Sequence, residues 1–229
     1  MKLILDTANR EDIRYFNTYY PIVGVTTNPS ILAREGGDVL ALLQEIRQII
    51  GPEKELHVQV TETEYEKIVE EAEAIVRAFG GNTFVKIPAT DVGLRATAAL
   101  SAKGIGVTVT AVLSAGQAMV AANAGAAYVA PYVSRLENIG EDGIAVVADI
   151  QAIFDASGYD TEILAASFKT AREVLDVALT GAGAATVSAD VMKKLMAHTT
   201  TDTSIAGFAR DWNTAFGGET LLEKLKNEK

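Results

Sequence analysis

The chain contains no cysteine among its 229 residues. Disulfide bonds and thiolate metal sites are therefore excluded. Histidine is scarce as well: His57 and His198 are the two present, and their separation fits no ligand spacing of a zinc site. We therefore expect no bound metal.

Positive charge is in deficit, since 20 lysines and arginines stand against 30 acidic residues and give a formal net charge of −10. Such a balance argues against nucleic acid and anionic membranes as partners. No apolar run reaches the length of a membrane span. The opening residues MKLILDTANR carry the acidic Asp6 and no long apolar core, unlike a signal peptide. We therefore expect a cytoplasmic protein.

Short apolar runs alternate with longer segments of helical periodicity, such as EYEKIVEEAEAIVRAF. The predicted strands are 3–5, 22–26, 56–60, 83–87, 106–110, 127–130, 162–166 and 184–188. The predicted helices are 64–79, 91–103, 114–124, 141–157, 169–180, 189–197 and about 202–215.

Eight strand–helix units in series predict one α/β domain over residues 1–229, a (β/α)8 TIM barrel with an additional C-terminal helix. An open doubly wound sheet is the alternative. Against it, no G-x-G-x-x-G follows the first strand, which leads into DTANRED. The segment 201–229 is expected to supply a helix and a charged tail for subunit contacts.

The segment FVKIPAT, residues 84–90, places Lys86 in an apolar strand. An ammonium group is costly to bury unless it is paired or loses its proton. A deprotonated lysine is a nucleophile that forms Schiff bases with carbonyl compounds. The alternative is a structural ion pair between Lys86 and Asp6.

Polar residues stand at the ends of the predicted strands, where a barrel of this type builds its catalytic face. Asp6 would hold the amine and help in proton transfer, while Gln59 and Tyr132 would orient a water. Some of these residues have a structural alternative as helix N-caps, above all Thr26, Asn28 and Ser188. The full set is Asp6, Thr26, Asn28, Gln59, Lys86, Thr108, Thr110, Tyr132, Ser167 and Ser188.

A phosphate site is indicated by the last strands, because barrels often bind phosphate with the loops after strands seven and eight. The segment AASFKT brings Ser167 and Lys169 to a helix start, where backbone amides favour an anion. Arg135 would add a bidentate contact. The alternative is that Arg135 and Lys169 are ordinary surface charges.

Several segments together resemble the small transaldolase family, and within it the fructose-6-phosphate aldolase branch. The resemblance implies a (β/α)8 barrel, class I Schiff-base aldol chemistry, and neither a metal nor an organic cofactor. It also implies ring-shaped pentamers paired into decamers, with the C-terminal helix on a neighbouring subunit. The matching segments are LDTAN, GVTTNPSI, VKIPAT, GIGVTVTAV, YVAPYVSRL, LAASFKT and TVSADV.

By this resemblance Lys86 matches the Schiff-base lysine and Asp6 the aspartate beside it. The positions that match the lining of the donor site are Thr26, Asn28, Thr108, Thr110 and Ala130. The positions that match the phosphate contacts are Arg135, Ser167 and Asn28.

Two positions separate the branches of this family. Transaldolases that resemble this chain carry glutamate where Gln59 stands and usually phenylalanine where Tyr132 stands. The predicted function is therefore cleavage of fructose 6-phosphate into dihydroxyacetone and glyceraldehyde 3-phosphate, and the reverse addition. The alternatives are a transaldolase that transfers the dihydroxyacetone unit to erythrose 4-phosphate, and a non-catalytic barrel that binds sugar phosphates.

Overall fold

Eight parallel strands close into a barrel in the computed structural model, which describes residues 1–227. Consecutive strands are neighbours, and β8 pairs with β1 to complete the ring. This confirms the predicted (β/α)8 architecture. The strands are β1 Lys2–Asp6, β2 Gly24–Thr26, β3 Glu55–Gln59, β4 Thr83–Pro88, β5 Val107–Val112, β6 Tyr128–Pro131, β7 Glu162–Ala165 and β8 Ala184–Val187.

Helices follow the strands, and the predicted ones are confirmed to within three residues at each end. Among those absent from the prediction is α7, a short helix directly after β6 that carries Arg135. The helices are α1 Arg10–Tyr19, α2 Pro29–Glu35, α3 Val39–Ile50, α4 Tyr65–Phe79, α5 Asp91–Ser101, α6 Ala115–Asn123, α7 Val133–Asn138, α8 Gly143–Ser157, α9 Ala171–Leu179, α10 Ala189–Met196, α11 Thr199–Phe216 and α12 Leu221–Asn227.

The chain divides into two compact units, residues 1–194 and the segment from residue 195 onward. The second unit contains α11 and α12, and neither helix has a buried residue. Within this unit the indole nitrogen of Trp212 donates to the carbonyl oxygen of Glu219 at 2.8 Å. No helix within residues 1–227 combines the length and apolarity needed to cross a membrane.

Side chains that point into the barrel form layers, because alternate strands contribute to each level of such a core. The strand register and the alternation along each strand give these levels. The lysine layer consists of Thr26, Lys86, Ala130 and Thr186. The histidine layer, one level toward the amino ends of the strands, consists of Ile4, His57, Thr108 and Leu164. The layer above the lysine consists of Asp6, Gln59, Thr110 and Ala166.

The first turn of α5 packs tightly against the end of β4, directly after the lysine layer. A Cβ atom added at Gly93 would lie 2.2 Å from the carbonyl oxygen of Pro88. We expect Gly93→Ala to lower the free energy of unfolding by about 1–3 kcal/mol, because the backbone has to move. In α6, a Cβ atom at Gly116 would meet nothing closer than 3.8 Å. Gly116→Ala is therefore the control, and equal losses in both variants on urea denaturation would contradict this packing argument.

Candidate active site

A cavity of about 450 Å³ opens at the carboxyl ends of the barrel strands. Eight of the predicted site residues line it, although they lie in or after six different strands of the barrel. They are Asp6, Asn28, Lys86, Tyr132, Arg135, Ser167, Lys169 and Ser188. The fold therefore brings together most of the polar groups predicted to act on one substrate.

Lys86 is the most enclosed charged group of this cavity, with 5% of its surface exposed. Its Nζ donates a hydrogen bond to the carbonyl oxygen of Thr27 at 2.9 Å. Burial lowers the pKa of Lys86, and the negative charge of Asp6 opposes this only in part. Because the ammonium form is disfavoured, the side chain is suited to act as a free amine nucleophile.

Asp6 is held by a hydroxyl rather than by the lysine. Its carboxylate accepts a hydrogen bond from Thr26 Oγ1 at 2.6 Å. Thr26 Oγ1 in turn lies 2.5 Å from Thr186 Oγ1, so Thr186 donates to it. Thr26 is completely buried and belongs to β2, so it acts in this network and not as a helix cap. The carboxylate is thereby fixed at the edge of the lysine layer.

Tyr132 and Thr110 form a hydroxyl pair above the lysine layer. The Tyr132 hydroxyl lies 2.9 Å from Thr110 Oγ1. A register shift between Val109 and Val112 interrupts the pairing of β5 with β6, and Ala111 has a φ of 58°. A bulge of this kind changes the direction in which a neighbouring side chain points. The bulge lies next to Thr110, and we attribute the contact between Thr110 and Tyr132 to it.

Gln59 lies on β3, which flanks β4 on the side away from β5, and it is the register partner of Lys86. It is half-buried and lies on the barrel-facing side of its strand. Gln59 and Thr110 thus share the layer directly above the lysine. Both are polar groups of the level above the amine, although neither is among the residues that line the cavity.

Positive charge is concentrated around the cavity, in contrast to the acidic chain as a whole. Its lining has five basic side chains and two acidic ones, Asp6 and Asp190. The guanidinium of Arg135 also lies 4.6 Å from the centre of the Tyr132 ring. An anionic ligand is therefore favoured here. The basic residues are Arg34, Lys86, Arg135, Lys169 and Lys194.

The backbone amides at the start of α9 were expected to bind an anion, and the structure shows a different arrangement. The amides of Lys169 and Thr170 donate to Glu173 Oε2 at 2.7 and 3.2 Å, within a capping box. They are occupied by a carboxylate, so the expectation that they serve an anion is wrong. Ser167, by contrast, lines the cavity in the left-handed region with φ 65°. Such a backbone is uncommon for a serine, and strained residues of this kind cluster at functional sites.

The remaining predicted residues occupy different positions. Asn28 lines the cavity and also caps α2, since its side-chain oxygen accepts from the Ile31 amide at 2.9 Å. Ser188 lines the cavity after β8. Thr108 and Ala130 are buried in the barrel interior and are not among the cavity-lining residues.

Sequence reasoning missed Arg34, Thr186 and Lys194, which also line the cavity. Thr186 could have been found by alternation, because it lies two residues before Ser188 on the inward face of β8. Arg34 and Lys194 are on helices, where no signal in the sequence separates them from ordinary surface charges. Within residues 1–227, no group of three or more histidine and acidic residues is arranged to hold a metal ion.

Comparison with known proteins identifies relatives along the whole chain. Probable transaldolases from Lactiplantibacillus plantarum and Agathobacter rectalis are each 43% identical, over 93% and 95% of this chain and 96% and 100% of theirs. One from Methanococcus maripaludis is 42% identical over 93% of this chain and 97% of its own.

Solved structures of a mandelate oxidase variant and a flavocytochrome b2 variant share the fold, with TM-scores of 0.56 and 0.57 at 14% and 11% identity. They match 83% and 82% of this chain and 65% and 56% of their own. Likeness at this level of identity concerns the fold alone. The model of the transaldolase/fructose-6-phosphate aldolase family matches residues 3–228, and the chain belongs to that family.

Proposed function

We propose that the protein is a class I aldolase that cleaves fructose 6-phosphate into dihydroxyacetone and glyceraldehyde 3-phosphate and catalyses the reverse addition. The observation that carries the proposal is the enclosed amine of Lys86 beneath the hydroxyl pair of Tyr132 and Thr110. Membership of the family supports aldol chemistry of this kind.

The reaction begins when the amine of Lys86 attacks the C2 ketone of the sugar. The carbinolamine loses water and leaves an iminium cation on Lys86. A water held between Gln59 and Tyr132 passes the proton of the C4 hydroxyl to the carboxylate of Asp6, while the Tyr132 hydroxyl positions that water. The electrons of the C3–C4 bond move into the iminium, glyceraldehyde 3-phosphate leaves, and an enamine remains. Protonation of the enamine carbon and hydrolysis release dihydroxyacetone.

The phosphate of the substrate is assigned to Arg135, Ser167 and Asn28 in the basic part of the cavity. An arginine provides bidentate hydrogen bonds to a phosphate. The other cations of the lining offset the net charge of −10, which would otherwise repel the substrate.

The second candidate is a transaldolase that transfers the dihydroxyacetone unit to erythrose 4-phosphate. The names of the relatives favour it, because the three described above are all named probable transaldolases. Gln59 and Tyr132 favour the aldolase. A tyrosine hydroxyl offers the enamine a proton route, so the three-carbon unit is released rather than kept for an acceptor.

The assembly proposed for this enzyme is a homo-oligomer, a pentamer or a decamer, in the cytoplasm. The support is that α11 exposes large apolar side chains, among them Ile205 and Phe208. Apolar surface of this kind commonly marks a protein contact. Sedimentation of the purified protein as a monomer would contradict the assembly.

Product analysis with fructose 6-phosphate as the only substrate tests the function. Free dihydroxyacetone together with glyceraldehyde 3-phosphate, in equal amounts and without an acceptor, is the expected result. Turnover that starts only after erythrose 4-phosphate is added would establish the transaldolase instead.

A further inference from the structure

A polar network lies beneath the lysine layer and has no part in the mechanism described so far. His57 at its centre is completely buried inside the barrel. Its Nδ1 lies 2.9 Å from Thr108 Oγ1, and its Nε2 lies 3.0 Å from Glu55 Oε2. The ring of Phe84 stacks on the imidazole, with centroids 4.8 Å apart. The imidazole is therefore fixed in both position and orientation.

The network continues to the opposite face of the barrel. The Tyr128 hydroxyl donates to Glu55 Oε1 at 3.0 Å and accepts from Lys2 Nζ at 2.7 Å. Lys2 also pairs with Glu162 at 2.9 Å, and both of these side chains are partly exposed. A continuous series of side chains thus connects the amino ends of the strands with Thr108. We refer to Lys2, Tyr128, Glu55, His57 and Thr108 as the buried chain.

The charge of Glu55 determines the direction of the hydrogen bonds. Burial raises the pKa of Glu55, but hydrogen bonds from His57 and Tyr128 and the charge of Lys2 outweigh it and leave that pKa below its usual value. Glu55 is therefore a carboxylate, which only accepts hydrogen bonds. The proton of the imidazole must then be on Nε2, facing Glu55.

Burial lowers the pKa of His57, and the nearby Lys86 and Lys2 lower it further against the effect of Glu55, which favours an imidazole with a single proton. Its Nδ1 is then an acceptor, and Thr108 donates to it. In both hydrogen bonds, Thr108 to His57 and His57 to Glu55, the donor is therefore the group nearer to the lysine layer. The negative end of each dipole faces Lys86.

Thr108 is the direct neighbour of Lys86, since the two residues are register partners across β4 and β5. With its proton directed to His57, the Thr108 oxygen keeps its lone pairs free on the other sides. We propose that the buried chain orients the Thr108 hydroxyl so that its negative end faces Lys86 and stabilises the cation that forms there as the iminium. Thr108 and His57 are then positioning residues, an inference that rests on the proposed function.

The electrostatic surroundings support this role. Asp6 lies above the lysine layer, while Glu55, Tyr128, Lys2 and Glu162 lie below His57. A neutral imidazole avoids placing a second positive charge beneath the iminium. Dipoles that are fixed in advance in a dry interior stabilise charge without reorganisation. Packing alone would not need such a chain, because buried polar groups cost free energy that apolar residues of the same size avoid.

Thr108→Val tests the inference, since it keeps the shape of the side chain and removes its hydroxyl. The expected result is a fall in kcat of about three- to tenfold, the effect of losing one hydrogen-bonding group, with little change in KM. The pKa of Lys86 should also fall, because its cationic form loses a stabilising dipole. Reductive methylation with formaldehyde and cyanoborohydride, followed at Lys86 by mass spectrometry against pH, measures this pKa without any sugar phosphate.

His57 provides a second pair of variants. His57→Phe removes both hydrogen bonds and should reproduce the shift of Thr108→Val. His57→Gln keeps a donor and an acceptor and should restore the titration of Lys86 toward that of the wild type. This pair decides the question if Thr108→Val does not fold.

Thr97→Val is the matched control, because Thr97 is also completely buried but its hydroxyl bonds to the Gly93 carbonyl within α5. Its Lys86 titration should equal that of the wild type. An unchanged titration in Thr108→Val, or an equal shift in Thr97→Val, would overturn the inference. The proposed function fails separately, if the wild type releases no product from fructose 6-phosphate while Lys86 is still methylated.

Discussion

Lys86→Met is expected to abolish turnover, with a loss in kcat of at least about 10⁴-fold, a scale typical for removal of a covalent nucleophile. Methionine fills a similar volume but cannot form an iminium with a ketone. Since the entire mechanism passes through that bond, no neighbouring side chain can replace the amine. Lys86→Arg should be equally inactive, because the guanidinium group stays protonated and provides no free amine to attack the ketone.

Lys86→Met should still fold, and the difference between its stability and that of the wild type should change with pH in a defined direction. Burial places the pKa of Lys86 below its value in the unfolded chain. Between these two pKa values the unfolded state binds more protons, so the stability of the wild type rises with pH in that window. Below both pKa values the wild type bears the full free-energy cost of burying the ammonium group of Lys86. The variant should therefore match or exceed the wild type at neutral pH, and its advantage should vanish above the unfolded pKa.

Steady-state assays and urea denaturation across this pH range measure both effects. Lys103→Met is the control, because Lys103 is exposed and pairs with Glu73 on the surface. Substantial turnover in a folded Lys86→Met would refute the covalent mechanism. A marked loss of stability at neutral pH would indicate that Lys86 is instead a structural partner.

Tyr132→Phe is expected to lower the release of free dihydroxyacetone by about 10²-fold, the lower end of what a positioned acid–base group contributes. The hydroxyl that contacts Thr110 is lost, while the ring remains available to the Arg135 guanidinium. Transfer to erythrose 4-phosphate should fall less, because an enamine that is not protonated persists until an acceptor arrives. The ratio of transfer to release is therefore the informative quantity.

Tyr159→Phe provides the control for this substitution, since the Tyr159 hydroxyl bonds to the Asn123 side chain away from the cavity. It should leave the ratio of transfer to release unchanged. Assays of both products, with and without the acceptor, give the ratio for each variant. If Tyr132→Phe lowers transfer and release equally, Tyr132 does not decide the fate of the enamine.

The barrel was predictable from the sequence because its local signals agree. Each strand is a short apolar run, and α4 has a regular apolar face, so the order of the elements could be read directly. Most of the site was predictable for the same reason. Parallel strands in a closed barrel end on one face, which brings Asp6, Lys86 and Tyr132 together without knowledge of any distance.

Other features depend on the register between strands, which the sequence does not display. His57 could not be connected with Thr108, because this contact follows from the stagger of β3 and β5 inside the barrel. The capping of α9 by Glu173 removed amides that otherwise would be expected to bind an anion. The Glu173 carboxylate lies one helical turn further along and accepts from the amides of Lys169 and Thr170, so these amides are not available to a ligand.

Borohydride trapping with fructose 6-phosphate tests the central claim most directly. Reduction fixes the iminium as a stable secondary amine, and peptide mass spectrometry locates the modified lysine. We predict one sugar-derived adduct, at Lys86, that forms only when the substrate and borohydride are both present. No adduct, or an adduct on another lysine while the enzyme turns over, would contradict the account.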